Sequence, residues 1–301
     1  MTATNDGLLP AQPGAGSTSP RQADIQEIVM ETARVNDTEI AYEVIGHGEP
    51  LLLIHGSNLA TGLVPIAGAL ADKEPPLQLV RYHRRGMGGS GGRTWPIPVR
   101  QQAADAIGLL DALGLPSAHV LGYSYGGVIA LETALSSPTR VRSLTLLEPI
   151  LAQVPSGPGF LAGMDPIVSL YDAGDMEGAV TATFAGMGGH RWPDLVAATG
   201  PGALERAVRD TELFYRDEFP VLKAWRLDAA RAAAVKSPVL SVMGTRSGPF
   251  FDEGRQLLHR HFPQCVDVDI ADANHLLNLQ TPEPIAAAIA DFLRQSVHVE
   301  R

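Results

Sequence analysis

The sequence has a single cysteine and no apolar run of membrane-spanning length. Cys265 alone cannot form a disulfide within the chain, so folding does not depend on one. The first residues, MTATNDGLLP, carry neither a basic start nor the apolar stretch of an export signal. These absences predict a cytoplasmic protein that neither spans a membrane nor is anchored to one.

Basic residues are also scarce, because 23 Lys and Arg stand against 33 Asp and Glu, for a formal net charge of -10. A negative surface repels phosphate backbones and anionic lipids, so we expect no nucleic-acid or membrane partner. The cluster of Arg81, Arg84 and Arg85 is too local to change that expectation. Hydrophobic residues are plentiful, at 45% of 301, and predict one large domain, with or without a lid.

The order of β-prone and helical patterns predicts the fold class. Residues 1–24 are rich in Gly, Pro, Ser, Thr and Ala and predict a flexible tail. Two β-prone runs then flank the turn pair Asn36-Asp37, as in an antiparallel hairpin. From the apolar run LLLI at 51–54 onward, strand and helix patterns alternate, which indicates βαβ units and a mostly parallel α/β sheet.

The alternation stops over residues 149–236 and resumes with PVLSVM, so this block is interpreted as a helical cap. Residues 25–148 and 237–296 then form the core. The large apolar side chains of this block together suggest a pocket that contacts the substrate. Any one of them could instead belong to a small core within the cap. The candidates are seven cap residues and one that follows His275: Phe160, Met164, Phe184, Met187, Trp192, Phe214, Trp225 and Leu276. The sequence does not decide whether the protein forms a homo-oligomer.

The segment GYSYG holds the best candidate nucleophile, Ser124, between an apolar strand pattern and a helical one. A serine at such a strand-to-helix turn lies in a strained conformation, and the flanking glycines leave room for nearby main chain. Because the turn ends at a helix N-terminus, the N–H of Tyr125 is placed to bind an oxyanion. By itself the pattern also fits a plain glycine-rich connection.

A serine hydroxyl needs a base, and His275 lies between the last strand pattern and the last helix, where that base is expected. A surface histidine without a role is the alternative. The N–H of Ser57, in the loop after the first parallel strand, is the candidate second oxyanion donor. His55 in the same loop is interpreted as a supporting residue rather than an acid or base.

Two further patterns do not indicate a binding site. His259 and His261 lie two apart on a predicted helix, so they do not share a face and no metal site is predicted. The glycines at 86, 88 and 91 have the G-x-G-x-x-G spacing of a dinucleotide-binding motif. Prolines at 96 and 98 forbid the helix that must follow such a motif, so no nucleotide site is predicted.

Taken together, the motifs LLLIHG, RYHRRGMGGSGG, GYSYGG, LEP, PVLSVMG and ANHLLNLQTPEPIAAAIADFL resemble an α/β-hydrolase with a helical cap, over residues 26–294. The resemblance implies an eight-stranded, mostly parallel sheet with the cap inserted after the sixth strand. It also implies a Ser-His-acid triad and no metal or organic cofactor.

The sequence departs from that family pattern at two positions. Ser247 stands where most members carry the acid, so Glu148 after the sixth strand is the favoured acid and Asp252 the runner-up. Strand-end carboxylates point into the crevice that holds the nucleophile, which favours Glu148. The second departure is His83, which stands where members often carry aspartate.

The glutamate after a strand, the missing later aspartate and the following Phe-Phe-Asp are together similar to zearalenone lactonases, which open a macrocyclic resorcylic lactone. The principal hypothesis is a cofactor-independent serine hydrolase for an ester or lactone of a hydrophobic small molecule. Two alternatives stay open: cofactor-free C–C or oxygen chemistry, and a ligand-binding protein without turnover.

Overall fold

The computed structural model describes residues 30–92 and 96–297, so the predicted tail lies outside the described residues. The strands are β1 (Glu31–Val35), β2 (Thr38–Ile45), β3 (Glu49–Ile54), β4 (Leu77–Tyr82), β5 (Ala118–Tyr123), β6 (Val141–Leu147), β7 (Val239–Gly244) and β8 (Cys265–Ile270). They form one eight-stranded sheet in the order β1-β2-β4-β3-β5-β6-β7-β8.

Pairing in this sheet is mostly parallel. β2 pairs antiparallel with both β1 and β4, whereas the pairs from β4 to β8 are parallel. The antiparallel β1 and β2 flank the turn at Asn36, which has a φ of 51°. The predicted α/β fold class is confirmed, and the parallel pairing places the carboxyl ends of β3, β5, β6 and β7 along one edge of the sheet.

The helices of the core cover both faces of the sheet. They are α1 (Val64–Ala71), α2 (Val99–Ala112), α3 (Tyr125–Ser136), α11 (Pro249–His261), α12 (Leu277–Gln280) and α13 (Pro282–Val297). Buried side chains of α2, α3 and α11 pack on one face, and those of α1 and α13 pack on the other. The strand run at residues 51–54 is fully buried because helices cover it on both sides.

The remaining helices lie between β6 and β7, where the sequence predicts the cap. They are α4 (Gly157–Gly163), α5 (Asp165–Asp172), α6 (Met176–Gly188), α7 (Trp192–Ala197), α8 (Ala203–Leu213), α9 (Phe219–Ala224) and α10 (Ala229–Ala232). A π-helical turn over Phe214–Glu218 joins α8 to α9. Within the described residues, no helix is both long and apolar enough to cross a membrane.

Candidate active site

Ser124 lies between the end of β5 and the start of α3, with φ 56° and ψ -120°. Only a very tight turn fits here, because a Cβ atom on Gly122 would lie 2.3 Å from the carbonyl oxygen of Gly126. A Cβ atom on Gly126 would lie 2.2 Å from the carbonyl oxygen of Ile54. The two glycines therefore permit the close crossing of strand and helix that holds the serine in its strained conformation.

His275 lies in the loop between β8 and α12, and its Nε2 atom is 3.0 Å from the Oγ atom of Ser124. Two neighbours hold this histidine in place. The hydroxyl of Tyr123 donates a hydrogen bond to the carbonyl oxygen of His275 at 2.6 Å. The ring of Phe251 stacks on the imidazole with 4.5 Å between centroids. The serine hydroxyl and the imidazole are thus already in hydrogen-bond contact.

Glu148 directly follows β6 and adopts an unusual positive φ of 44°. Its side chain is fully buried, and its Oε2 atom lies 2.6 Å from the Nδ1 atom of His275. A carboxylate at Nδ1 keeps the proton on that nitrogen and leaves Nε2 free to accept from Ser124. Ser124, His275 and Glu148 therefore form a continuous hydrogen-bonded chain.

The second carboxylate oxygen of Glu148 is held from β7 and the loop after it. The N–H of Gly244 donates to Oε1 at 2.7 Å, and the hydroxyl of Ser247 donates to the same oxygen. Asp252, the runner-up acid, lies in the first turn of α11 with an exposed side chain. The structure brings Glu148, and not Asp252, to His275.

The two predicted oxyanion donors, Ser57 and Tyr125, belong to the segments on either side of the serine turn. Tyr125 is the first residue of α3, so its N–H has no acceptor within the helix. Ser57 follows β3 and lines the same cavity as Ser124. The intervening loop packs directly on the turn, because a Cβ atom on Gly56 would lie 3.2 Å from the Cβ atom of Ser124. Both sequence-predicted oxyanion donors thus lie on segments next to the nucleophile.

His55 fixes the loop that carries Ser57. Its Nε2 atom accepts a hydrogen bond from the N–H of Arg84 at 3.1 Å, so its Nδ1–H donates to the carbonyl oxygen of Gly56 at 2.8 Å. Burial, and then the charge of Arg84, hold the pKa of His55 well below its usual value. A neutral imidazole with both nitrogens engaged supports the loop and takes no part in proton transfer.

A buried ion pair connects this loop to the cap. The guanidinium of Arg84 binds the carboxylate of Glu218 in the π-helical turn, and neither side chain is exposed to solvent. The same guanidinium donates to the carbonyl oxygen of Gly56 at 3.0 Å. It therefore joins a cap carboxylate to the segment that holds Ser57.

A cavity of about 630 Å³ opens above Ser124, between the cap and the carboxyl edge of the sheet. Six of the eight sequence-predicted substrate contacts line it, and they are Phe160, Met164, Phe184, Met187, Phe214 and Leu276. Phe160 stacks on Phe250 from α11 with 4.0 Å between ring centroids. The wall is thus largely apolar and is built from both cap and core.

The structure corrects the prediction for two tryptophans, which do not belong to the described lining of this cavity. Trp192 stacks on Phe184 and is buried in a small apolar cluster between cap and core. Trp225 donates from its indole N–H to Glu132 of α3 at 3.0 Å. Both side chains join the cap to the core, which is neither a substrate contact nor a small core within the cap itself.

His83 occupies the aspartate position of the family motif, and its Nδ1 atom accepts a hydrogen bond from the N–H of Gly89 at 3.0 Å. Burial, followed by the charges of Arg81 and Arg206, lowers the pKa of His83 to about 4. The neutral ring can therefore act as a hydrogen-bond acceptor, as an aspartate would, without carrying charge.

One group of possible metal ligands occurs among the described residues, where donor atoms of His259, Cys265 and Asp267 lie within 4.8 Å of one another. His259 is already paired with Asp267 at 2.9 Å. Burial raises the pKa of the Cys265 thiol to about 12, so the thiolate that binds metals is scarce at neutral pH. The guanidinium of Arg255, 3.5 Å from Asp267, adds a competing positive charge.

Comparison with known proteins identifies the family. The family model described as alpha/beta hydrolase fold matches residues 49–282. The chain belongs to this family. The enol-lactonase of Burkholderia xenovorans LB400 has the same fold, with a TM-score of 0.73 and 23% identity over 88% of this chain and 100% of that one.

Among curated relatives, the rhodomycin D methylesterase DauP of Streptomyces sp. (strain C5) is 26% identical over 88% of this chain and 99% of its own length. A protein of Azorhizobium caulinodans, provisionally named carbamate hydrolase RutD, is 39% identical over 39% of this chain. The 2-hydroxymuconate semialdehyde hydrolase of Pseudomonas putida is 35% identical over 42%. The chain spans less than half the length of these last two relatives, at 44% and 48%.

The sequence analysis gave no role to three residues of the site. Tyr123 and Phe251 fix His275, and Ser247 holds Glu148. The position of Ser247 in the sequence could have indicated its role, because a residue that replaces the family's acid lies near the imidazole. Asn58 and Asn278 also line the cavity, and the sequence analysis gave them no role.

Proposed function

We propose that the protein is a serine hydrolase that cleaves an ester or lactone of a hydrophobic small molecule through an acyl-enzyme. The observation that carries the proposal is the unbroken chain from Ser124 through His275 to Glu148, with 3.0 Å and 2.6 Å between successive partners. A buried acid, an oriented imidazole and a strained serine are the parts that nucleophilic acyl transfer requires.

In the first step, the Oγ atom of Ser124 attacks the substrate carbonyl while its proton passes to Nε2 of His275. Glu148 stabilises the imidazolium through Nδ1–H and remains ionised. The carbonyl oxygen becomes an oxyanion, which the N–H groups of Ser57 and Tyr125 bind. The imidazolium then protonates the departing alkoxide, which leaves an ester on Ser124.

In the second step, His275 removes a proton from a water molecule that attacks the acyl-enzyme. The same two N–H groups bind the second oxyanion, and the imidazolium returns its proton to Ser124 as the acid departs. Every proton transfer in this cycle uses Nε2 of one histidine. No further acid or base is required.

The cavity supports the substrate class. The cavity has a volume of about 630 Å³ and a largely apolar wall, so it suits a hydrophobic molecule of moderate size. A relative that matches along 99% of its own length is named a methylesterase, which agrees with ester cleavage. A macrocyclic resorcylic lactone is the narrower substrate proposal, and it rests on the post-strand position of Glu148 and on the apolar cavity.

A second candidate is hydrolysis of a C–C bond, because one relative is named 2-hydroxymuconate semialdehyde hydrolase. That match covers 42% of this chain, so it supports the candidate less than the full-length methylesterase match supports ester cleavage. Both reactions need a base and an oxyanion site. They differ in whether a carbon or an oxygen leaves.

The test is a substrate panel of p-nitrophenyl esters of increasing chain length, macrocyclic lactones including zearalenone, and a 2-hydroxymuconate semialdehyde. Wild-type protein is compared with Ser124→Ala. We expect turnover of apolar esters or lactones that the variant loses by several orders of magnitude. Turnover of the semialdehyde alone would replace the proposal with C–C hydrolysis.

A further inference from the structure

The ion pair of Arg84 and Glu218 belongs to a buried network that reaches both proposed oxyanion donors. Gln102 of α2 is the third member, and all three residues are at most 2% exposed. The guanidinium of Arg84 donates to the Oε1 atom of Gln102 at 2.5 Å, and the amide of Gln102 donates to Glu218 at 3.3 Å. Each side chain contacts the other two, so a shift of one disturbs both partners.

One branch of this network fixes the peptide group of the first donor. The Nη2 atom of Arg84 donates to the carbonyl oxygen of Gly56 at 3.0 Å, and Nδ1 of His55 donates to the same oxygen at 2.8 Å. This carbonyl shares one peptide group with the N–H of Ser57. Because the peptide is planar and trans, its C=O and N–H point in opposite directions. Holding the oxygen therefore sets the direction of the N–H.

The other branch restrains the residue that carries the second donor. The side chain of Tyr125 is fully buried, and its hydroxyl accepts a hydrogen bond from Gln102 at 3.4 Å. The guanidinium carbon of Arg84 lies 5.2 Å from the centroid of its ring, where the electron-rich face attracts a cation. Both segments with proposed oxyanion donors thus contact the same three-residue network.

Glu218 brings the cap into this network. It ends the π-helical turn Phe214–Glu218, and both Phe214 and the next residue, Phe219, line the cavity. Such turns are rare and occur frequently at functional sites. The Oε1 and Oε2 atoms of Glu218 accept from the Nη1 and Nη2 atoms of Arg84. The orientation of the guanidinium therefore depends on a residue of the cap.

We propose that Glu218 is a positioning residue for the oxyanion site. Through Arg84 it holds the peptide between Gly56 and Ser57 with the N–H of Ser57 directed into the cavity. A glycine at position 56 permits backbone angles that would turn this peptide over, so an external restraint is needed. The inference rests on the proposed serine hydrolase function and adds that the cap contributes to the rate of the chemical step.

Two variants disturb the link in different ways. Glu218→Gln replaces one of two acceptor oxygens by an amide N–H₂, which sets a donor against the donors of Arg84 or Gln102. Arg84→Lys keeps the positive charge, but an ammonium lacks the planar fork that binds Glu218 and Gly56 at once. Removal of an oxyanion donor lowers kcat by about 10²- to 10³-fold, so we expect each variant to lose kcat by at least about 10-fold, with KM little changed.

Glu132→Gln is the matched control. Glu132 is a buried carboxylate of α3 that also binds the cap, since it accepts from Trp225 at 3.0 Å and from Arg231 at 2.7 Å. Among the described contacts, none joins it to the segment that holds Ser57. The control therefore weakens the attachment of the cap without touching the oxyanion donors, and its kcat should stay close to that of wild type.

Inhibitor affinity reports on the oxyanion site directly. An alkyl trifluoromethyl ketone forms a tetrahedral adduct with the serine and so resembles the transition state, whereas an alkanol of equal chain length only fills the cavity. In Glu218→Gln and Arg84→Lys, the Ki of the ketone should rise by the factor by which kcat falls, and the Ki of the alkanol should stay unchanged. An equal rise of both Ki values, or an equal loss of kcat in Glu132→Gln, would overturn the proposal.

Fluorophosphonate labelling of wild-type protein separates this role from the proposed function. A protein whose Ser124 is not labelled fails as a serine hydrolase. A protein whose Ser124 is labelled, but whose two network variants keep the wild-type kcat and ketone affinity, overturns only the positioning role. Circular dichroism shows which variants are folded, and Arg84→Lys tests the role even where Glu218→Gln does not fold.

Discussion

Ser247 donates a hydrogen bond to Glu148 from the position where most members of the family carry the catalytic acid. The end of β6 therefore supplies the carboxylate of Glu148, and the loop after β7 supplies a hydroxyl that donates a hydrogen bond to it. The N–H of Gly244 adds a second donor to the same oxygen. This arrangement leaves the other oxygen of Glu148 directed at the imidazole.

The first prediction concerns the acid itself. Glu148→Gln keeps the shape of the side chain but permits the wrong histidine tautomer, and we expect kcat to fall by about 10⁴-fold, as amide substitution of a triad acid does. Asp252→Asn is the matched control, because that carboxylate is exposed and takes no part in the hydrogen-bonded chain from Ser124 to Glu148. It should retain most of the activity.

Steady-state kinetics on the best ester, with circular dichroism to confirm folding, check this result. Ser247→Asp in the Glu148→Gln background should restore part of the rate, since it returns a carboxylate to the neighbouring strand end. Near-normal turnover in Glu148→Gln, or a collapse confined to Asp252→Asn, would move the acid to the loop after β7.

A second prediction tests Ser247 as a positioning residue. Ser247→Ala removes one of the two described donors to Oε1 of Glu148, so the carboxylate is held less firmly against His275. We expect kcat to fall by roughly 10-fold, about the worth of one hydrogen bond to a charged group, with KM little changed. Ser247→Thr keeps the hydroxyl and should recover most of kcat. A change in KM alone would contradict this role.

The third prediction concerns the ion pair between Arg84 and Glu218. Glu218→Gln leaves the guanidinium buried without a full countercharge, and breaking a buried pair destabilises proteins by about 3 to 5 kcal/mol. Urea unfolding should show this loss. The exposed pair of Lys73 and Glu283 is the control, and Glu283→Gln should change the free energy of unfolding by less than about 1 kcal/mol.

A double variant, Arg84→Met with Glu218→Leu, should be less destabilised than the sum of the two single changes, because no lone charge remains buried. Since Arg84 also binds the carbonyl oxygen of Gly56, the double variant should still lose kcat as the Ser57 segment loosens. Additive losses of stability would show that the two side chains act independently.

The fourth prediction follows from buried histidines. Burial lowers the pKa of His83 and of His119 to about 4. Between about pH 6.5 and 4 the unfolded chain binds protons at these sites that the folded chain does not, so the free energy of unfolding falls as the pH decreases. Each histidine contributes roughly 2 kcal/mol of loss between pH 7.5 and 5.

Urea unfolding at several pH values measures that slope. His83→Gln keeps an acceptor for the N–H of Gly89 but cannot titrate, so its stability should depend less steeply on pH between 7 and 5 than that of wild type. Equal slopes for His83→Gln and wild type would contradict the assignment.

Much of the fold could be predicted because the signals were local. The apolar run at 51–54 and the turn around Ser124 each reflect a short stretch whose burial or backbone geometry is dictated by neighbours in sequence. The order of these stretches then indicated the sheet and the place of the cap. The proposed acid followed similarly, since residues at the ends of adjacent parallel strands meet at one edge.

The cap could not be predicted in the same detail. Trp192 and Trp225 are large and apolar, and nothing in their spacing distinguishes a cavity wall from a contact that fastens helices. The pairing of Arg84 with Glu218 depends on which groups the fold brings together, and the two residues are 134 positions apart in sequence. Such relationships exist only once the tertiary structure is formed.

The measurement that tests the account most directly is covalent labelling by a fluorophosphonate, read by intact mass and peptide mapping. We predict one probe per chain on Ser124, no label in Ser124→Ala, and labelling slowed by orders of magnitude in His275→Gln. Hydrolysis of esters by a protein whose Ser124 stays unlabelled, or equal labelling in the histidine variant, would contradict the proposed nucleophile and its base.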